Sequence, residues 1–506
     1  MSKVPLSEYA SYVIDSVVDP AAVTNYGGIF PYLDLMLLTD LPGIVSRVMP
    51  AASERGWRQA EYVASLLAVN ITGGECVDDL DKLRADPGIA LYMGQITRAI
   101  GGKRRFARGG EGVLPSVTCV RDWLETFHDK DEELKRKPKI AFVPAPNAAL
   151  TALQDCTQQF TIAGWQVYRR ADRREITKAT LELDATFMET QKKTALTCYK
   201  HFEAYSALTM RWAETGFVVW NEFRDGNVPP AYHNTEAVFA SVTRLNRDFG
   251  INDVWFRSDS AACQNDLMDG LDSWQVDGKR CPVRFAIGYK KTQAFRTMVR
   301  QQEECDWTPV YDKQGKLKFE IAEVPFVSNH EALVKGEPYR HIAARRLAKQ
   351  GMLPGIEVNQ PDNYGVETME MNGKAYHVFA IISNIPDWTP IEIISWYNER
   401  CGNGEEIHSI LKSDLAGGLL PSKYFGSNAA WWEIAVLAWN LHALLKLLAL
   451  SGDLKDARFK KLRFHFINVP AKLVQHARRC VVRYFQEPVL ALIQGMRGKI
   501  LALAPG

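Results

Sequence analysis

Near residue 176 the hydrophobic pattern of this chain changes from helical repeats to strand-like alternation, and the order of the elements beyond that point constrains the fold more than any other feature. Thr180-Leu181-Glu182-Leu183-Asp184-Ala185-Thr186 alternates as a strand does. Residues 206–212 and 217–223 are two further apolar runs separated by Glu214-Thr215-Gly216, a hairpin signal. Asn234-Thr235-Glu236 then opens a helical run to about Leu245. Residues 253–259 form a fourth strand, a helix comes next, and a fifth strand runs from Val283 to Tyr289. Residues 300–375 break this order. They carry turn signals such as Asp312-Lys313-Gln314-Gly315 and strand-like pieces such as Phe319 to Val324, as an inserted, mainly β segment would. A strongly apolar strand at Tyr376 to Ser383 resumes the series, helices are expected from 389 to 450, and a basic helical tail from 451 to 506.

The chain has 506 residues, enough for two to four structural units. Hydrophobic residues make up 46% and charged residues 24%, so a sizeable core is expected and wholesale disorder is not. With 61 basic and 59 acidic residues the formal charge is +2, and any polyanion must be met by local patches. Nine cysteines without a CxxC pair read as reduced thiols of a cytosolic protein, not as a disulfide framework or zinc ribbon. The polar start, Met1-Ser2-Lys3-Val4-Pro5, leads to the expectation of no signal peptide. Trp431 to Leu450 is the most apolar long stretch. Glu433, Asn440, His442 and Lys446 within it argue for a buried amphipathic helix and against a membrane span. Upstream of 176, Gly56-Trp57-Arg58-Gln59 opens an apolar-periodic run that Gly73-Gly74 stops, residues 116–128 resemble a capped helix, and Lys135-Arg136-Lys137-Pro138-Lys139 looks like a linker.

Strand, hairpin, helix, strand, helix, strand is the order of an RNase H-like fold. In that sheet the first and fourth strands are neighbours, which brings Asp184 and Asp259 together. A third acid would come from a helix after the fifth strand, where Glu405 lies. Three converging carboxylates suit two Mg²⁺ ions about 4 Å apart, one activating a nucleophile and one the leaving oxygen of a phosphodiester. Glu182 competes with Asp184 on the same strand face, and Asp253, Asp266 and Asp269 compete with Asp259.

Tyr397-Asn398-Glu399-Arg400-Cys401-Gly402-Asn403-Gly404-Glu405-Glu406-Ile407-His408-Ser409-Ile410-Leu411-Lys412 resembles the Y-x2-R-x3-E-x6-K signature of bacterial cut-and-paste insertion-sequence DDE transposases. The chain looks most like their insertion-sequence 1380 group. Leu183-Asp184-Ala185-Thr186, Glu222-Phe223-Arg224-Asp225-Gly226-Asn227, Arg257-Ser258-Asp259-Ser260, Asp414-Leu415-Ala416-Gly417-Gly418, Leu420-Pro421-Ser422 and Asn428-Ala429-Ala430-Trp431-Trp432 share the likeness, which covers 176–450 well and the N-terminal part loosely. The resemblance implies Asp184, Asp259 and Glu405 as catalytic, metal-binding acids with two Mg²⁺ ions, Mn²⁺ being a substitute. It implies Tyr397, Arg400 and Lys412 as DNA contacts. Four residues separate Arg400 from Glu405 where the signature has three. Glu405 keeps the six-residue gap to Lys412, seven positions on and so on the same α-helical face, whereas Glu406 breaks it.

The fold class expected is therefore α/β, an RNase H-like catalytic core interrupted by a mainly β insertion. The division expected is a helical DNA-binding region at 1–110, a helical linker at 111–175, core halves at 176–300 and 376–450 around the insertion at 301–375, and the tail at 451–506. Lys290, Lys291, Arg296 and Arg300, after the fifth strand, are candidate phosphate contacts, as are Lys103 to Arg108 and the cations of the tail. Either 57–68 or 116–128 could read DNA, and either could be core. The expected activity is binding of terminal inverted repeats, hydrolysis at the element ends and joining of the 3′-hydroxyls to target DNA, by a cytoplasmic, nucleoid-associated bacterial homodimer acting on double-stranded DNA away from membranes. The alternatives are an RNase H-like nuclease that does not join, a catalytically silent transposase-derived DNA-binding protein, and a glycosidase, which also pairs carboxylates.

Overall fold

The computed structural model describes residues 12–15, 23–50, 56–102, 113–171, 176–334, 338–348, 368–400, 403–476 and 479–504. Lys103 to Arg108 lie outside them. The chain divides into two compact units. One comprises residues 1–176, 185–232 and 405–506, the other residues 177–184 and 233–404. Between residues 178 and 383 the described strands longer than two residues are β1 (Lys178–Glu189), β2 (Glu203–Trp212), β3 (Val218–Asp225), β4 (Asp253–Ser258), β5 (Arg284–Gly288), β6 (Thr308–Tyr311), β7 (Leu317–Val324), β8 (Arg340–Leu347), β9 (Thr368–Met371) and β10 (Lys374–Ser383).

The second unit is built on a sheet of order β6-β7-β8-β10-β5-β4-β1, with β9 also paired to β10. β1, β4 and β5 run parallel, and the remaining pairs are antiparallel. β10 lies between β5 and β8 and pairs with β8 from Arg340↔Ser383 to Leu347↔Tyr376, so the strands of the 301–375 segment continue the same sheet. Alternation along β8 fills two cores. Ile342 and Ala344 join Trp255, Ile381, Trp396 and Tyr397 on one face, while Ala343 joins Phe295, Trp307 and Val378 on the other.

In the first unit β2 and β3 form the expected hairpin. Against it pack the helices Ala148–Arg170 and Phe425–Leu448, and on the latter pack Phe30–Leu38 and Gln59–Thr72. Phe425–Leu448 was expected to be amphipathic. It is instead buried almost all round, and three of its polar residues take partners inside the core. Asn440 donates to Val218 O at 3.0 Å and accepts from Val218 N at 2.8 Å, completing β3 as a neighbouring strand would. Glu433 accepts from Asn221 at 2.8 Å, and His442 Nδ1 lies 2.9 Å from the Tyr32 hydroxyl. No single described helix is long and apolar enough to cross a membrane.

Two expectations need correction. The tail is not wholly helical, because Ala471–His476 and Arg479–Tyr484 pair as a hairpin and Arg479–Tyr484 also takes Tyr12–Asp15 as a parallel partner. Distant residues stabilise these strands, and local pattern does not report that. Nor is the basic run at 135–139 a free linker. Arg136 donates to both Asp225 oxygens, at 2.6 and 2.7 Å, with 6% of its side chain exposed.

Close packing makes Gly426 sensitive. A Cβ there would stand 2.0 Å from the Phe127 carbonyl oxygen, a backbone atom with little room to move. Gly426→Ala is expected to cost about 1–3 kcal/mol or more, read as a lower urea midpoint at unchanged slope.

Buried histidines give a second stability handle. Burial first, and the Lys412 charge second, push His408 down to about 4, while its Nε2 sits 2.8 Å from Thr209 Oγ1. Burial, with Lys446 and Arg463, also holds His442 well below its ordinary value. Above the unfolded value of 6.5 both states are neutral; below it the unfolded chain takes up protons that the folded one refuses. Stability is therefore expected to hold above about pH 6.5 and to fall toward pH 4, with about 3 kcal/mol of the loss from His408. Urea midpoints across this range should fall less steeply in His408→Gln.

Candidate active site

β1 and β4 are parallel neighbours in register from Lys178↔Asp253 to Leu183↔Ser258. The next residue on each is Asp184 and Asp259, so the two half-buried carboxylates emerge side by side. Ser258, 1% exposed, donates from Oγ to Leu183 O at 2.9 Å and ties the strands together one residue before the acids. Asp259 then turns the chain: its Oδ1 accepts the Ala261 N–H at 2.9 Å and caps the short 3₁₀ turn Ser260–Ala262.

β5 brings Gly288 to the same end of the sheet, one residue past the pair Ile287↔Ser258. A Cβ on Gly288 would lie 2.8 Å from Ser260 N, 3.2 Å from Asp259 C and 3.1 Å from the Tyr397 hydroxyl. Glycine thus lets the Tyr397 hydroxyl approach the Asp259 turn. Tyr397 ends the helix Pro390–Asn398, with its ring in the core and the Arg400 guanidinium 5.1 Å from the ring centroid. Burial opposes the charge of Arg400, but Tyr397, then Asp184 and Asp259, outweigh it and hold the guanidinium above its ordinary range. Arg400 Nε is buried without a hydrogen-bond partner.

The competing acids are occupied or lie elsewhere. Glu182 stands opposite Arg257 in the register, and its Oε1 accepts from Arg257 Nη2 at 2.7 Å and Nε at 3.0 Å. Arg257, 3% exposed, also reaches Glu399 at 2.9 Å and the Trp396 carbonyl. Asp253 accepts from Trp255 Nε1 at the opposite end of β4, Asp269 is bound by His330 at 2.6 Å and the Tyr339 hydroxyl at 3.0 Å, and Asp266 is exposed.

Glu405 falls in the helix Asn403–Ser409, and its side chain lies outside the described residues. Glu406 is exposed and close to two cations of its own unit. Lys446 is lowered by burial, with Glu406 the first charge opposing that, and Arg458 is raised chiefly by Asp414 with a smaller part from Glu406. The α-helix does not run on to Lys412. Ile410–Asp414 is a π-helical turn, so the seven-residue spacing does not follow the α repeat that was expected, and Lys412 Nζ donates to Phe187 O at 3.2 Å. Among the described residues no three His, Cys, Asp or Glu side chains group as a metal site.

The other candidate cations divide. Lys290 and Arg300 are exposed, whereas Lys291 donates to Val378 O at 2.8 Å and Arg296 to Lys291 O at 3.0 Å. In the tail Lys460 and Lys461 are exposed, but Arg458 binds Asp414, Arg463 binds the carbonyls of Asn70, Ile71 and Asp414, and Lys472 is buried. Of the two candidate reading helices, Gln59–Thr72 is almost wholly core. Val117–Glu125 exposes Arg121, which is paired to Asp78 at 2.7 Å. Ser258, Gly288 and the Glu182–Arg257 pair went unrecognised in the sequence; the pairing was readable only once the β1–β4 register was fixed.

Comparison with known families gives this geometry a class: the chain belongs to the DDE transposases. The matching family model is the transposase DDE domain group 1, over residues 52–491. No curated protein matches the chain. Among solved structures, a piggyBac transposase synaptic complex with hairpin DNA is similar at 9% identity and a TM-score of 0.41, covering 86% of this chain and 79% of that one.

Proposed function

We propose that this transposase cuts the ends of a mobile DNA element by metal-assisted phosphodiester hydrolysis and joins the freed 3′-hydroxyls to target DNA. The observation that carries the reading is the pair Asp184 and Asp259 on adjacent parallel strand ends, both of whose charges favour that of Arg400. The residues suit Mg²⁺ or Mn²⁺, which favour carboxylate oxygens, and Gly288 keeps the backbone beside Asp259 uncrowded. When bound, the ions activate water or a 3′-hydroxyl and stabilise the leaving oxygen. Asp184 and Asp259 would hold them, and Arg400 would offer its guanidinium to non-bridging phosphate oxygens. Glu405 supplies the third acid and Lys412 a further phosphate contact, both by the signature resemblance. Glu405 is preferred to Glu406 because it keeps the signature's six-residue gap to Lys412.

The core is read as RNase H-like, its strands β1 to β5 keeping that order. The partner is double-stranded DNA, with Lys290 and Arg300 the exposed cations closest in sequence to the fifth strand. The acting form is a homodimer in the bacterial cytoplasm.

The test is Mg²⁺-dependent cleavage of DNA carrying the native element ends. Glu405→Ala is expected to abolish cutting while end binding survives, and Glu406→Ala to cut. A dead Glu406→Ala beside an active Glu405→Ala would reverse the choice of glutamate. Wild type that binds ends without cutting would make the protein a silent DNA binder, and cutting without joining a nuclease.

A further inference from the structure

We infer that Asn234 is a positioning residue for Asp259 and thereby sets how tightly the site holds its divalent ion, an inference that rests on the metal-dependent reading above. Asn234 opens the helix Asn234–Arg244, directly after His233, whose φ of 57° turns the chain sharply into the helix. Its side chain is 1% exposed. Nδ2 donates to the Ala261 carbonyl at 3.2 Å, and the Ala261 N–H donates to Asp259 Oδ1 at 2.9 Å. Ala261 is thus gripped at both its polar groups, by a buried amide on one side and by the candidate ligand on the other. Ser258 anchors the preceding residue to β1. Asp259 therefore sits between two fixed points, with one carboxylate oxygen committed to the turn.

A buried amide kept only for packing would be expected to have both ends satisfied. Asn234 Oδ1 is buried without a hydrogen-bond partner, a cost tolerated while Nδ2 holds the turn. Without Asn234 the 259–262 turn keeps its cap and the local bond from Gln264 Nε2 to Ala261 O at 3.2 Å, but loses its tether to the helix Asn234–Arg244. The carboxylate then samples orientations an ion cannot use. Outer residues that orient a ligand typically change metal affinity about 10–100-fold.

The experiment is calorimetric titration of the full chain with Mn²⁺, comparing wild type, Asn234→Ala, Asn234→Leu and Asp259→Asn, beside end cleavage over a range of Mn²⁺. Leucine conserves volume and removes the donor, so it serves if the alanine variant folds poorly. Both Asn234 variants should bind Mn²⁺ about 10–100-fold more weakly, with cleavage recovering at saturating ion. Mn²⁺ affinity like wild type in both, with Asp259→Asn clearly weakened, overturns the inference and leaves the metal reading standing. Cleavage depressed equally at every ion concentration also overturns it, since general damage acts that way. If Asp259→Asn itself binds like wild type, the metal reading fails and the inference falls with it.

Discussion

Asp184→Asn and Asp259→Asn are each expected to slow strand cleavage by about a thousandfold or more, roughly 4 kcal/mol in the barrier, while leaving the fold intact. An amide keeps the size of the carboxylate but not its charge, and a neutral oxygen is a poor ligand for a hard divalent ion. Asparagine at 259 can still accept the Ala261 N–H, so the 3₁₀ turn should survive. Removing one of two adjacent negative charges should leave the melting temperature unchanged or raise it slightly. Single-turnover cleavage of end DNA, with binding measured in parallel, reads the effect. A fall of less than about tenfold in either variant would mean that the pair beside Arg400 is not the reacting site.

Arg257→Ala should have the largest effect on stability, about 3–5 kcal/mol, because it strands Glu182 in the core without its cation. The same substitution removes the bonds to Glu399 and the Trp396 carbonyl and a guanidinium lying 5.1 Å from the Trp396 ring centroid. Pairing Arg257→Met with Glu182→Leu should recover most of the loss, since two apolar groups of similar volume replace the charges. Urea unfolding of the singles and the double gives the coupling. Glu182→Gln should cleave DNA far better than Asp184→Asn at matched folded fraction. Equal loss in the two would make Glu182 a candidate ligand again.

Much of the second unit could be read before any coordinates, for a physical reason. In β1, β4 and β5 one residue in two is apolar or the run is wholly apolar, and short turns bound each strand. The strand ends that carry Asp184 and Asp259 are reported by local pattern. What escaped depends on contacts far apart in sequence. Arg257 and Glu182 look like surface charges until the β1–β4 register sets them opposite each other. The hairpin of 471–476 and 479–484 also takes partners far away in sequence, such as Tyr12↔Cys480 and Ala471↔Thr24. The shared face of Glu405 and Lys412 rests on a 3.6-residue repeat that the π-turn at Ile410–Asp414 breaks. Asn234 has no local signature, because its value lies in reaching a turn 27 positions on.

Among the described residues β3 has β2 as its one strand partner, and an uncovered strand edge is of the kind that recruits a second chain and seeds aggregation. Asn440 closes part of that edge by occupying both backbone groups of Val218 from within a helix. A carboxamide on a long, buried helix thus occupies backbone groups that a second strand would use, so a change to leucine there would suit the surrounding hydrophobic packing yet uncover part of a strand edge.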